Sequence, residues 1–327
     1  MTVLLTGAAG FIGSHVAAAL LERGDTVVGV DSLNAYYPPA LKRARLDTLQ
    51  GRRGFTFAEL DIADERALAE LLAAHPQVDR IVHLAAQAGV RYSLENPWAY
   101  ADSNVRGQIT VLEAARHLPE LRHLVYASSS SVYGGNSKLP FSIDDPVEQP
   151  VSVYAASKRS AELLAHTYAH LYRLPLTGLR FFTVYGPWGR PDMAYWSFTE
   201  RLLRGDPIRV FNAGEMKRDF TYIDDIVAGV LAALDHPPGD PGPPERPHRL
   251  YNLGNHRSED LLHFIAVLEA ATGRAADKRF EQMQPGDVKE TYADIEASTR
   301  DLGFRPTTTI EEGLPRFVDW YRRYHGV

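Results

Sequence analysis

Over the first half of the chain, short apolar runs alternate with longer amphipathic stretches. Residues 3–6, Val-Leu-Leu-Thr, are continuously apolar rather than alternating, the pattern of a strand covered on both faces. A glycine turn over 7–13 leads into a predicted helix ending near Arg23, with Gly24 just past its C-terminus. Further strands are predicted over 26–30, 55–60, 80–84, 124–127 and 176–181, and helices over 63–74, 97–117 and 154–172. Asp64 is placed to cap the first of those helices. Apolar strands alternating with helices imply βαβ units, hence a parallel sheet with right-handed crossovers.

Beyond Phe182 the pattern changes. Gly186-Pro187-Trp188-Gly189-Arg190-Pro191 reads as loop, 198–203, 225–234, 261–272 and 310–324 as helices, and 250–253 as a short strand. Residues 237–247 are rich in Pro and Gly and predict a mobile surface loop. The expected fold is α/β: a Rossmann-type doubly wound parallel sheet over 1–182 and a smaller mixed α/β substrate domain over 183–327. Parts of 220–256 are expected to return and pack on the first domain. No internal repeat interrupts this division.

Composition narrows the possibilities. The 327 residues, 45% hydrophobic and 23% charged, are ample for a packed core. A net charge of −6 gives no footprint for nucleic acid or an anionic membrane. No apolar run reaches the ~18 residues of a membrane span, and the N-terminus lacks a basic segment before its apolar stretch. A cytoplasmic protein is expected. With no cysteine, disulfides and thiolate chemistry are excluded, and the twelve histidines show no metal-ligand spacing, so no metal is expected.

Three motifs carry chemistry. Gly7-x-x-Gly10-x-x-Gly13 follows a strand and opens a helix, so its backbone can approach a pyrophosphate with N–H groups pointed at it. Asp31 ends the second strand and Asp61 the third. A carboxylate at Asp31 suits the adenosine ribose hydroxyls and repels a 2′-phosphate, favouring NAD over NADP; Asp61 is placed to contact adenine or to serve only as a turn residue. Tyr154 and Lys158, four apart, share a helix face downstream of the serine run Ser128 to Ser131. A free phenol ionises near pH ~10, and bringing it to about 7 needs roughly 4 kcal/mol, within reach of two nearby cations.

In this order the motifs resemble the extended short-chain dehydrogenase/reductases, enzymes that modify nucleotide sugars. The resemblance covers nearly the whole length. It rests on Thr6-Gly7 to Gly13, Asp31, His83-Leu84-Ala85-Ala86, Asn104, Ser131-Val132-Tyr133-Gly134, Tyr154 and Lys158, Arg180 to Pro187, and Arg218-Asp219-Phe220-Thr221-Tyr222-Ile223-Asp224-Asp225. It implies that Tyr154 takes a sugar hydroxyl proton while NAD takes the hydride. Lys158 would bind the nicotinamide ribose and lower the Tyr154 pKa, and Ser129 would hydrogen-bond the reacting hydroxyl. Cofactor contacts are expected from Gly7, Gly10, Phe11, Ile12, Gly13, Asp31, Asn34, Asp61, Ile62, Leu84, Ala85, Ala86, Gln87 and Asn104, with Tyr154 and Lys158. Arg190, Arg218 and Asp287 are expected at uridine diphosphate, and Arg91 on the substrate side. A homodimer pairing helices 97–117 and 154–172 is also implied.

The serine run bears on the reaction. Relatives that dehydrate carry an Asp-Glu pair where this chain has Ser130-Ser131, and relatives that decarboxylate carry a Glu there. The resemblance therefore points to 4-epimerisation. Ser129, Ser130, Ser131 and Thr183 would satisfy a sugar carboxylate with hydroxyl donors, and 182–194 resembles enzymes acting on UDP-glucuronate. UDP-glucuronate is the expected substrate and UDP-galacturonate the product. A neutral-hexose 4-epimerase, a decarboxylase and a non-catalytic NAD-binding module are the alternatives.

Overall fold

The computed structural model describes residues 1–283 and 288–327. Seven strands form one parallel sheet: β1 Thr2–Thr6, β2 Thr26–Asp31, β3 Phe55–Glu59, β4 Arg80–His83, β5 His123–Ser129, β6 Leu176–Phe181, and the edge strand His248–Leu253. Across the sheet they run β3-β2-β1-β4-β5-β6 and then His248–Leu253. The order reverses between β1 and β4, where ligands of such sheets bind beyond the carboxyl ends of the strands. Helices on both faces explain the continuous apolar runs: Val3, Leu4 and Leu5 have no exposure, and all six residues of β6 are buried.

Among the differences from the sequence reading, two bear on the cleft. The stretch 97–117 is not one regular helix. Pro97–Tyr100 runs into a π-helical turn, Ala101–Arg106, before the α-helix Gly107–Arg116. The wider turn carries Asn104, which is buried. The second difference is a helix, Pro39–Asp47, that no apolar period announces. It buries Leu41 and Leu46 together with Lys42 and Arg45, so half of its inward face reads as polar.

The chain passes back to the sheet after its first excursion. The helix Ile223–Asp235 packs on Phe11–Glu22, and Arg23 Nη1 meets Asp235 Oδ2 at 2.6 Å. His248–Leu253 then pairs with β6 in parallel, Leu253 beside Phe181. The remaining residues past 182 make small strand pairs, Thr183–Tyr185 with Phe220–Tyr222 and Ile208–Phe211 with Lys278–Glu281. The helices Ala194–Arg204 and Ile310–His325 bury a ring cluster with Trp188, whose ring lies 5.2 Å from Trp320. That cluster anchors the loop carrying Arg190. Among the described residues, no helix is long and apolar enough to cross a membrane, and no group of three or more acidic or histidine side chains could hold a metal ion.

Candidate active site

A cleft opens beyond the carboxyl ends of β1, β2, β4, β5 and β6 and is closed on the far side by residues past 182, including Thr183, Arg190, Arg218 and Thr291. The glycine turn forms its floor. Gly7 has φ +74°, and a Cβ there would lie 2.8 Å from the Ala85 nitrogen; a Cβ on Gly13 would lie 2.0 Å from the Gly7 carbonyl oxygen. No side chain caps the helix Phe11–Glu22, whose first intrahelical bond runs from Ser14 N to Gly10 O. The earlier N–H groups thus face the cleft at a positive helix end, the donor set a pyrophosphate needs.

Asp31 is buried and half spoken for. One carboxylate oxygen accepts from Ala9 N at 3.2 Å and the other from Leu33 N at 2.9 Å, leaving lone pairs toward the cleft. Lys42 lies 3.9 Å from it and donates to Asn34 Oδ1 at 2.8 Å. Asp61 lines the cleft and also closes a turn, accepting from Ala63 N at 2.9 Å, while the helix cap is Asp64, which accepts from Ala67 N. Phe11, Ile12, Ile62, Leu84, Ala85, Ala86 and Gln87 line the same cavity.

Asn104 stands one layer behind. Its side chain accepts from Gln87 N at 2.8 Å and donates to Gln87 O and Ser157 Oγ, each at 2.9 Å. It braces the loop that lines the cleft against the helix Val153–Tyr172.

Ser129, Tyr154 and Lys158 converge at the centre. Ser152 caps the helix that carries the last two, accepting from Ala155 N at 3.1 Å. Ser129 Oγ accepts from Ser131 N at 3.1 Å and hydrogen-bonds Tyr154. Burial pushes the Tyr154 phenol up, opposed by the Ser129 hydrogen bond and the Arg190 guanidinium. Lys158 sits one helical turn further on. Its ammonium donates to the Ala127 carbonyl at 3.0 Å, and burial lowers it to about 8, with Glu162 pulling the other way.

Ser130, Ser131 and Thr183 complete a wall of hydroxyls beside Ser129. Arg190 also lines the cleft, its guanidinium on both carboxylate oxygens of Asp192 at 3.0 and 2.5 Å. Arg218 also lines the cleft, donating to the Lys217 and Lys289 carbonyls. Arg91 does not line it; its guanidinium lies 5.1 Å from the Phe211 ring centre. Asp287 lies outside the described residues.

The residues that sequence reasoning missed are Tyr36, Lys42, Arg45, Glu162 and Asp192. The first three sit in a cluster of aromatic and basic residues shortly after Asp31, a signal that could have marked them. Glu162, four residues past Lys158, could have been read from the helical spacing.

The model of the NAD dependent epimerase/dehydratase family matches residues 3–254. The chain belongs to that family. It is 48% identical to UDP-glucuronate 4-epimerase 1 of Arabidopsis thaliana, over all of this chain and 78% of that one. It is 48% identical to protein CapI of Staphylococcus aureus over 99% of both chains. The solved UDP-glucuronic acid 4-epimerase of Bacillus cereus, in complex with UDP-glucuronic acid and NAD, superposes with a TM-score of 0.90 at 36% identity, covering 99% of this chain and all of that one.

Proposed function

We infer that this chain is an NAD-dependent 4-epimerase that converts UDP-glucuronate to UDP-galacturonate through a transient 4-keto sugar. The observation that carries the reading is the hydroxyl wall of Ser129, Ser130, Ser131 and Thr183 beside Tyr154, with no carboxylate at those positions. It can bind an anionic C6 group by donation and lacks the acid–base pair an elimination needs. The likeness to named UDP-glucuronate 4-epimerases supports the same substrate.

The same reading assigns each residue a role. As the phenolate, Tyr154 takes the C4 hydroxyl proton and becomes the phenol, and Ser129, already accepting from Ser131 N, keeps its own O–H free to donate to the Tyr154 oxygen or to the C4 oxygen as charge develops there. The positive charge of Lys158 stands behind this pair. NAD bound in this cleft would supply the hydride acceptor and donor that exchange at C4 requires. The uncapped helix end and the glycine turn hold its pyrophosphate, Asp31 its adenosine ribose, and Asp61 and Ile62 its adenine. Leu84, Ala85, Ala86 and Gln87 flank its nicotinamide half. Arg218, and Arg190 through the N–H groups that Asp192 leaves over, would donate to the uridine diphosphate, and Asp287, outside the described residues, is assigned to the uridine diphosphate by the same proposal.

We extend the reading to a homodimer. Trp98 (76% exposed), Leu163 (51%), Leu171 (60%) and Tyr172 (43%) leave apolar surface along the two helical stretches expected at the interface. A cytoplasmic location belongs to the same proposal, because a cytosol supplies the nicotinamide and uridine nucleotides the site would use; cell fractionation tests it. The substrate is tested by comparing kcat/KM on UDP-glucuronate and UDP-glucose. A preference for UDP-glucuronate is expected, and a preference for UDP-glucose overturns the assignment.

A further inference from the structure

Arg45, on the helix Pro39–Asp47, is only 1% exposed. Among the described residues no carboxylate pairs with it. Its guanidinium instead donates five hydrogen bonds to neutral oxygens. Nε and Nη2 go to the Trp188 carbonyl at 3.0 and 2.7 Å, and Nη2 also to the Gly189 carbonyl at 2.7 Å. Nη1 goes to the Ala9 carbonyl at 3.1 Å and the Tyr37 hydroxyl at 2.7 Å. A buried cation without a counter-ion is costly, and its persistence calls for an anion nearby when the protein works. Both of its main anchor points lead to anion-binding ground. Ala9 lies within the glycine turn, and Trp188-Gly189 immediately precede Arg190.

A second contact runs parallel to the first. The Tyr36 hydroxyl donates to Asp192 Oδ2 at 3.1 Å, and the same carboxylate holds the Arg190 guanidinium. One short segment therefore grips the cofactor turn with one hand and the Arg190 loop with the other. We propose that Arg45 is a positioning residue that ties the dinucleotide turn to the loop carrying Arg190, so that a bound dinucleotide and a bound nucleotide sugar hold each other in place. The identity of the two ligands rests on the function proposed above. The unpaired charge of Arg45 adds attraction for both diphosphates, and its carbonyl bonds transmit the placement of one loop to the other.

The test measures exchange of bound NAD for labelled NAD in the intact protein, with and without saturating UDP. Coupling between sites is reciprocal. UDP is expected to slow exchange about tenfold in the wild type. In Arg45→Lys, which keeps the charge but cannot span the three carbonyls, the effect of UDP is expected to fall below about twofold. Tyr36→Phe removes one half-buried hydroxyl and leaves every Arg45 bond in place, so it serves even if the lysine variant fails to fold. It is expected to raise the KM for UDP-glucuronate several-fold at unchanged kcat. A wild type insensitive to UDP overturns the proposal, as does an Arg45→Lys protein that responds to UDP like the wild type. An unchanged KM in Tyr36→Phe overturns it as well, and because UDP carries no sugar the exchange outcomes stand whichever sugar is epimerised.

Discussion

Ser128 and Glu162 are joined by a buried 2.7 Å hydrogen bond that fastens the end of β5 to the helix carrying Tyr154 and Lys158. Arg180 of β6 donates to both oxygens of the same carboxylate at 2.8 and 3.0 Å, and Arg159 adds another donor at 2.9 Å. Three consecutive residues of β5 thus face three partners: Ala127 O meets Lys158, Ser128 meets Glu162, and Ser129 meets Tyr154.

This arrangement makes Glu162 the nearest fixed counter-charge to Lys158. Burial lowers Lys158 to about 8 and Glu162 raises it. The ammonium is the required form, so activity is expected to fall as pH rises through about 8. Glu162→Gln removes the raising influence, and the alkaline limb of the kcat–pH profile is expected to move to lower pH, by about one unit. A limb that stays in place contradicts this role.

Tyr154→Phe keeps the ring and deletes the base. Loss of positioned proton transfer typically costs 10²–10⁴-fold, and turnover is expected to fall by about 10³-fold. The NAD content of the purified variant, read by absorbance after release, is expected to match that of the wild type. Retained turnover would remove Tyr154 from the mechanism.

Thr183 has a specific task in this account. A 4-keto glucuronate is a β-keto acid and loses CO₂ when its carboxylate carbon aligns with the keto π system. In the reading proposed above, the hydroxyls of Ser129, Ser130, Ser131 and Thr183 would hold the carboxylate away from that alignment. Thr183→Ala is expected to release more UDP-4-keto-pentose per turnover than the wild type, measured by chromatography of the product mixture. An unchanged fraction assigns the task elsewhere.

Asp219 sits beside Arg218 and is fully buried. Its oxygens accept from the backbone N–H groups of Asn255, His256 and Ala293 and from the Thr221 hydroxyl. Asp219→Asn turns one of these oxygens into a donor facing other donors, each unsatisfied group costing about 1–3 kcal/mol. A drop in melting temperature of several degrees is expected in calorimetry, and a melting temperature equal to that of the wild type would refute this reading.

Much of the sheet was legible because buried parallel strands leave continuous apolar runs, and those of β1 and β6 stand out against their neighbours. The turn at Gly7, Gly10 and Gly13 was legible because only glycine admits the backbone contacts made there. The helix Pro39–Asp47 was not, because it buries Lys42 and Arg45 by hydrogen bonding rather than by apolar contact. The π-helical turn around Asn104 was hidden for a related reason: one extra residue per turn leaves composition unchanged. The upward shift of the Tyr154 phenol could not be read either. Helical spacing places Lys158 on its face, but it does not reveal that the ammonium turns to Ala127.

The reaction is read by incubating the purified protein with UDP-glucuronate and following the sugar by proton NMR, without added NAD and then with it. UDP-galacturonate is the expected product, with UDP-glucuronate persisting at equilibrium. Accumulation of a UDP-pentose or its 4-keto form, or turnover of UDP-glucose alone, would contradict the proposed reaction.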